Sequence, residues 1–466
     1  MSFHLPPMIL SGKEVLPLIE GGKGVAVSNG QTTGAWAKAG GVGTFSAVNA
    51  DNEDEHGNVI RTVYHGKSRK ARFEELVSQG IAGGIKQAQI AHEVAEGNGR
   101  IHMNVLWEMG GAERILKGVL DGAKGLIHGV TCGAGMPFKL APLAAAYNVH
   151  YYPIISSARA FRALWLRSYK KHPEWLGGVV YEDPWLAGGH NGLSNSEDPN
   201  KPQAPYPRIV ELRQTMNKFG LNEVPIIMAG GVWFLREWSD WLNNDEIGPI
   251  VFQYGTRPLL TQESPISDVW KQRLLNLKEG DIKLNKFSPT GFYSSAIYNR
   301  FLHELYERSD REISFMDHAS GDHSEMFTFG VRNKEVYITK GDAQSAKEWI
   351  KDGFSKALLT PDSTLIFVDQ DKAQEIRQDQ LDCMGCLSQC AFSNWAANDL
   401  GTTGRKADPR SFCIQKTLQS VAHDGELEHN LMFAGHAAYR FGTDPFYKNG
   451  YIPTVKELVD RIATGE

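Results

Sequence analysis

The sequence predicts an α/β protein, a TIM-type (β/α)8 barrel followed by a smaller C-terminal α+β metal-binding domain, and three observations carry that prediction. Short apolar, β-rich runs alternate with helical segments and glycine-bearing turns over about 260 residues, the pattern of a parallel sheet wrapped by helices. No G-x-G-x-x-G opens a helix after the first strand, which favours a closed barrel over an open dinucleotide-binding sheet. Four of the five cysteines crowd into one late stretch.

In chain order the strand candidates are 24–28, 101–106, 125–131, 149–156, 177–182, 225–229 and 249–253. Between them, 81–96, 111–120 and 158–169 carry apolar residues at helical spacing. The segment Ser288-Pro-Thr-Gly-Phe-Tyr and a helix-like run at 296–307 are expected to close the barrel, and the charged stretch 307–322 to leave it. A small unit follows, with a strand at 331–340, a helix at 343–354 and a strand at 363–368. The expected division is therefore a barrel over 1–310 and a cysteine-bearing domain over 320–466, since one core rarely grows past about 250–300 residues.

Composition narrows the function classes. A net charge of −5 with 22% charged residues argues against a dedicated nucleic-acid binder, which would show a basic face. No apolar stretch approaches the roughly 18 residues that would span a bilayer. Nothing at the N-terminus resembles a secretory signal, so a cytoplasmic location with reduced thiols is expected.

Cys383, Cys386 and Cys390 form a C-x2-C-x3-C run, and Cys413 follows after 22 intervening residues. Three clustered thiolates and one distant one suit a [4Fe-4S] cluster. Zinc is the alternative ligand, although its sites more often use two C-x2-C pairs. Cys132 stands apart from this set and reads as a packing residue.

Glycines mark where a barrel's chemistry would lie. Gly21-Gly22-Lys23-Gly24-Val25, Ala187-Gly188-Gly189-His190-Asn191-Gly192, and the pair Ala229-Gly230-Gly231 with Tyr254-Gly255-Thr256 are the three clusters. The last two segments fall after the seventh and eighth strands, where barrels commonly bind phosphate.

With Ala39-Gly40-Gly41-Val42-Gly43, Met103-Asn104-Val105, Thr131 to Pro137 and Gln253 to Arg257, these blocks resemble the FMN-dependent nitronate monooxygenase (2-nitropropane dioxygenase) group, which includes flavin-dependent enoyl-acyl-carrier-protein reductases. The resemblance covers about residues 15–305. It implies that the backbone at Gly24 and Val25 flanks the flavin ring and that Asn104 hydrogen-bonds it. By the same resemblance Gly188, Gly189, Gly230, Gly231, Gly255 and Thr256 cradle the phosphate, and His190 stands beside the substrate. An imidazole there is chemically apt, as acid, base or hydrogen-bond donor to developing negative charge.

Some features depart from that group. Trp185 stands where small residues are usual and is expected to alter the pocket mouth; the polar loop 191–203 and the charged segment 51–80 read as insertions. The cysteine run is absent from ordinary nitronate monooxygenases and is similar to that of flavin and iron-sulfur dienoyl-CoA reductases. Three readings follow: an FMN enzyme oxidising alkyl nitronates with oxygen, which the resemblance places first; an FMN and [4Fe-4S] reductase of an activated alkene using NAD(P)H; and a non-catalytic redox or metal sensor. A small-molecule substrate is expected, with neither nucleic acid nor membrane as partner, while a homodimer and an electron-donor protein remain open.

Overall fold

The computed structural model describes residues 3–194, 196–423 and 426–466. Eight parallel strands close into a barrel: β1 (Leu18–Glu20), β2 (Val42–Ser46), β3 (Arg100–Leu106), β4 (Gly129–Gly133), β5 (His150–Ile155), β6 (Val179–Glu182), β7 (Ile226–Ala229) and β8 (Ile250–Tyr254). Each pairs with its neighbour in sequence, and β8 returns to β1 with Gln253 opposite Ile19. Closure explains the composition of these strands. They are buried on both faces, so apolar residues run on in β6, β7 and most of β8, whereas β2 and β3 carry buried polar groups, Thr44, Ser46, His102 and Asn104, at alternate positions.

The two faces still divide the work. Ile19, Val42, Tyr152, Val180, Ile227 and Val251 fill the barrel's lower interior with Leu10 and Val15 of an N-terminal hairpin. Leu18, Val179, Ile226 and Ile250 point outward and join the cluster beneath the helices. Alternate residues facing opposite sides is the strand's period of two, here with apolar side chains on both.

Two early expectations are corrected. Residues 24–28 form a turn, not a strand, and the first two strands lie at Leu18–Glu20 and Val42–Ser46. Ala26 sits at a left-handed φ of 58°, and a side chain on Gly24 would stand 2.9 Å from Val48 Cβ, so backbone sterics shape this stretch despite its apolar composition. The segment 288–307 does not close the barrel either. It supplies part of a hairpin, Ile282–Asn285 against Ser294–Ile297, and a helix, Arg300–Asp310. The charged segment 51–80 ends in the start of a 27-residue helix, Arg69–Ala95, capped by the Ser68 side chain.

Beyond the barrel, Glu312–Ser314, Lys356–Leu359 and Thr364–Val368 make a three-stranded sheet, joined by the hairpin His323–Phe329 with Lys334–Thr339 and the helix Lys340–Lys351. Ile313, Phe315, Val336, Ile338, Leu365 and Phe367 form a core of their own. The helix Gln370–Leu381 then leads back, and Cys383, Leu387, Cys390, Phe392, Trp395 and Leu418 pack into the barrel's outer core. The last helix, Val455–Ala463, contacts the helix Gly30–Lys38. Among the described residues no helix is long and apolar enough to cross a membrane.

At the barrel floor, Ser11 Oγ lies 2.9 Å from His102 Nε2 and 2.7 Å from the Tyr152 hydroxyl. Burial holds His102 well below the usual histidine range, with His128 and His150 nearby adding to the effect; burial likewise brings His128 down to about 4. These rings are neutral in the fold but protonate near pH 6.5 once unfolded, so acid favours the unfolded chain. Stability is expected to fall as pH drops from about 6.5 towards about 4, by roughly 1–3 kcal/mol for His128, with His102 acting in the same direction. Urea midpoints measured from pH 7.5 to 4.5 check this, and His128→Gln should flatten the slope. A midpoint that stays constant over that range would count against it.

Candidate active site

All ten of the expected flavin and substrate residues, Gly24, Val25, Asn104, Gly188, Gly189, His190, Gly230, Gly231, Gly255 and Thr256, line one cavity at the carboxyl ends of the strands. The cavity encloses about 1820 Å³ including space open to solvent.

Gly230 and Gly231 follow β7 at φ of 97° and 76°, a conformation natural to glycine. Gly255 follows β8 in ordinary backbone, and a Cβ there would meet no protein atom within 4 Å. The loop therefore presents bare backbone to open space, which is what a phosphate needs for close approach. At the other side of the mouth a Cβ on Gly22 would stand 2.3 Å from Asn104 Cβ, so the strand-one loop and Asn104 share one volume. The Thr131 hydroxyl donates to Asn104 Oδ1 at 3.3 Å, which leaves the amide nitrogen for the cavity. The residues present thus fit a phosphate-bearing, ring-shaped cofactor.

The β6 loop is built by Asp183, whose Oδ1 accepts from the backbone N–H of Trp185 and of Leu186, both at 2.9 Å. Gly189–His190 then pairs antiparallel with Ser294–Ile297, so a strand about a hundred residues away fixes where His190 points. Its Nε2 lies 2.6 Å from Ser288 Oγ, and Ser288 Oγ lies 2.8 Å from Thr290 Oγ1. The Phe433 ring meets the imidazole edge-on at 5.3 Å. Burial brings His190 down to about 4, so the ring is neutral near pH 7 and offers one N–H and one lone pair.

Four contributions lie beyond sequence reasoning. Ser288 and Thr290, expected to help close the barrel, instead form a hydroxyl chain behind His190. Leu431 to Gly435 fold over the cradle, where the Gly435 N–H donates to Thr256 Oγ1 at 2.9 Å and a Cβ on Gly188 would stand 2.5 Å from the Ala434 carbonyl carbon. Glu182 lines the cavity, its carboxyl pushed up to about 8 by burial and then by Asp183, so it holds its proton at neutrality. Its place at the end of β6 was the available signal. Ile414, Gln415, Leu418 and Val421 extend an apolar wall towards the cysteine segment.

Trp185 is buried, lies outside the cavity lining and carries the Arg208 guanidinium over its ring at 5.3 Å, so it does not shape the mouth. Arg208 also bonds Glu197 at 2.7 Å, which ties down the loop 191–203, of which Asn195 lies outside the described residues. Cys132 is buried in the core, and burial raises its thiol. Arg257 anchors the cradle from behind, donating to the carbonyls of Trp233 at 2.8 Å and Glu466 at 3.0 Å.

The family model for nitronate monooxygenase matches residues 8–381. The chain belongs to the nitronate monooxygenase family. As a member it is an FMN-dependent oxidoreductase enzyme. No curated relative matches the sequence. Among solved structures, FabK from Thermotoga maritima is 14% identical with a TM-score of 0.51, covering 96% of this chain and 91% of that one. The enoyl reductase domain of MlnA from the macrolactin biosynthesis cluster of Bacillus amyloliquefaciens is 12% identical with a TM-score of 0.52, over 97% and 93%. A nitroalkane oxidase from Streptomyces ansochromogenes is 17% identical, covering 62% of this chain and 79% of that one at a TM-score of 0.42. The family match and the first two of these folds agree on the barrel.

Proposed function

We propose that the enzyme reduces the carbon–carbon double bond of an apolar, unsaturated acyl thioester. The observation that carries this reading is the cavity's second half. Beyond the glycine cradle it is walled by Ile414, Leu418, Val421, Leu431 and Met432, and its two cations are already engaged. Lys23 Nζ donates to Glu20 at 3.1 Å and to the Gly21 carbonyl at 2.8 Å, and Arg257 is held behind the cradle beside Asp444. A small nitronate anion would find both lining cations already facing carboxylates, Lys23 at Glu20 and the buried Arg257 with Asp444 3.8 Å away, while a neutral acyl chain would find apolar surface worth about 25 cal/mol per Å² buried.

In this reading Gly230, Gly231, Gly255 and Thr256 hold the FMN phosphate, and Gly24, Val25 and Asn104 hold the ring. FMN supplies hydride transfer when bound. His190 donates its N–H to the thioester carbonyl oxygen, where negative charge develops as the β-carbon is reduced. Ser288 fixes which ring nitrogen carries the proton, and Thr290 extends the chain along which it is replaced. Protonated Glu182 would offer a hydrogen-bond donor to a cofactor in the cavity. The enoyl reductase named among the structural relatives supports the substrate class. Oxidation of alkyl nitronates with oxygen is the second reading, favoured by the family match.

An assay independent of the electron donor separates the two. The flavin is reduced anaerobically with dithionite, and a trans-2-enoyl thioester of N-acetylcysteamine is added in slight excess. Return of the oxidised flavin spectrum with formation of the saturated thioester is the expected result. No reoxidation by the enoyl thioester, together with oxygen uptake on propionate 3-nitronate, would overturn it. A parallel trial with NADPH and NADH tests whether a pyridine nucleotide serves as donor.

A further inference from the structure

The cysteine segment is fastened to the flavin cavity, not held apart from it. Arg69 donates to the carbonyls of Ser393 at 2.9 Å and Gln380 at 2.7 Å, and Arg72 to those of Cys383 at 3.1 Å and Leu381 at 2.7 Å. The Gly110 N–H, just past β3, donates to the Cys386 carbonyl at 2.9 Å, and Met109 bridges Leu387. Gly385, at φ of 75°, turns the chain between Cys383 and Cys386, where any Cβ would stand 2.7 Å from the Trp395 ring. Cys386 and Leu387 consequently line the same cavity as Gly24, Val25 and His190.

The four thiols are free, and none has a disulfide partner. Cys383 and Cys390 are buried in one cluster, and Cys386 and Cys413 pack against it. Ser393 donates to Cys383 Sγ at 3.1 Å and also reaches Cys390, while Cys386 lies within electrostatic range of the other three. Burial raises Cys386, Cys390 and Cys413 as free thiols. Among the described residues no three ligating side chains converge tightly enough to share one ion. Thiolates on zinc sit about 2.3 Å from the metal and so within about 4 Å of each other. A cubane cluster holds each thiolate on its own iron, and a C-x2-C-x3-C run with a distant fourth cysteine has the spacing that suits one.

We propose that Cys383, Cys386, Cys390 and Cys413 hold a [4Fe-4S] cluster in the wall of the flavin cavity, through which a one-electron carrier protein supplies the flavin. This rests on the reductase reading. The balance is explicit: two carrier molecules are each oxidised by one electron and two protons come from solvent. Both electrons and one proton reach the β-carbon as hydride, and the second proton reaches the α-carbon, so that one C=C bond becomes two C–H bonds and a single bond.

Protein purified without oxygen is analysed for iron, acid-labile sulfide, zinc and FMN, alongside Cys386→Ser and Cys390→Ser. The expected wild type holds about four irons and four sulfides per chain, and dithionite produces a low-temperature electron paramagnetic resonance signal from the cluster. Both variants should lose iron and sulfide yet keep FMN. Reduction of their flavin by reduced ferredoxin, as the one-electron donor, should slow by at least about tenfold. Stoichiometric zinc, or FMN-replete wild type without iron, would overturn the proposal, as would an unchanged rate in iron-free variants. If the cluster is present but enoyl thioesters do not reoxidise the reduced flavin, the cluster stands and the substrate reading falls.

Discussion

Replacing His190 with alanine is expected to lower enoyl thioester reduction by about 10²–10³-fold with FMN content unchanged, because a positioned donor or acid contributes on that scale. The imidazole is set by the Ser294–Ile297 strand, the Ser288 hydroxyl at 2.6 Å and the Phe433 edge, so its loss removes a preorganised group and leaves the phosphate cradle intact. His190→Gln retains an N–H donor and should recover part of the rate. Ser288→Ala should cost about tenfold and move the acid limb of the pH profile, since the hydroxyl acts through the ring. Burial that brings His190 down to about 4 keeps the ring neutral, and activity should therefore be level from about pH 5.5 to 8. Single-turnover kinetics on the reduced enzyme read the effect directly. A His190→Ala variant with full rate, or one whose rate loss follows loss of FMN, would remove the residue from the chemistry.

Gly255→Asp is expected to abolish FMN binding without unfolding the chain. The site has no left-handed φ and no protein atom within 4 Å of a Cβ, so the protein itself accommodates the side chain. The phosphate does not. Two like charges about 4 Å apart repel by about 4 kcal/mol at an effective dielectric of 20, which corresponds to a loss of affinity of about 10³-fold. Gly255→Ala should weaken binding far less. Fluorescence titration of the apoprotein with FMN measures the affinity, and thermal unfolding of the apoprotein checks the fold. Retained FMN in the aspartate variant would show that the phosphate lies elsewhere.

The barrel was legible because its strands are short, apolar and evenly interleaved with amphipathic helices such as Ala112–Gly122, whose Ile115, Leu116, Val119 and Leu120 are buried. Strands of three and five residues at Leu18–Glu20 and Val42–Ser46 are too brief to stand out from their surroundings. An apolar run at 24–28 draws the expected first strand too far along the chain, although Gly24 and Ala26 there meet steric conditions that only the folded neighbours reveal. That the glycine loops and His190 share one cavity was also readable, since glycines at the ends of barrel strands mark where the backbone is left bare. Ser288, Thr290, Leu431 to Gly435 and the wall at Ile414 to Val421 carried no local signal. Their residue types are ordinary in any loop or helix.

The sequence by itself determined the fold class, the glycine loops after the seventh and eighth strands, and the grouping of four cysteines, because each depends on local backbone freedom or on spacing along the chain. Only the tertiary structure decided what surrounds them. The pairing of Gly189–His190 with Ser294–Ile297, the Ser288 bond to His190 and the placement of Cys386 on the flavin cavity all join residues about a hundred or more positions apart. Contacts of that kind arise from closing the barrel and packing the late segments over its mouth, and no periodicity within a short window encodes them.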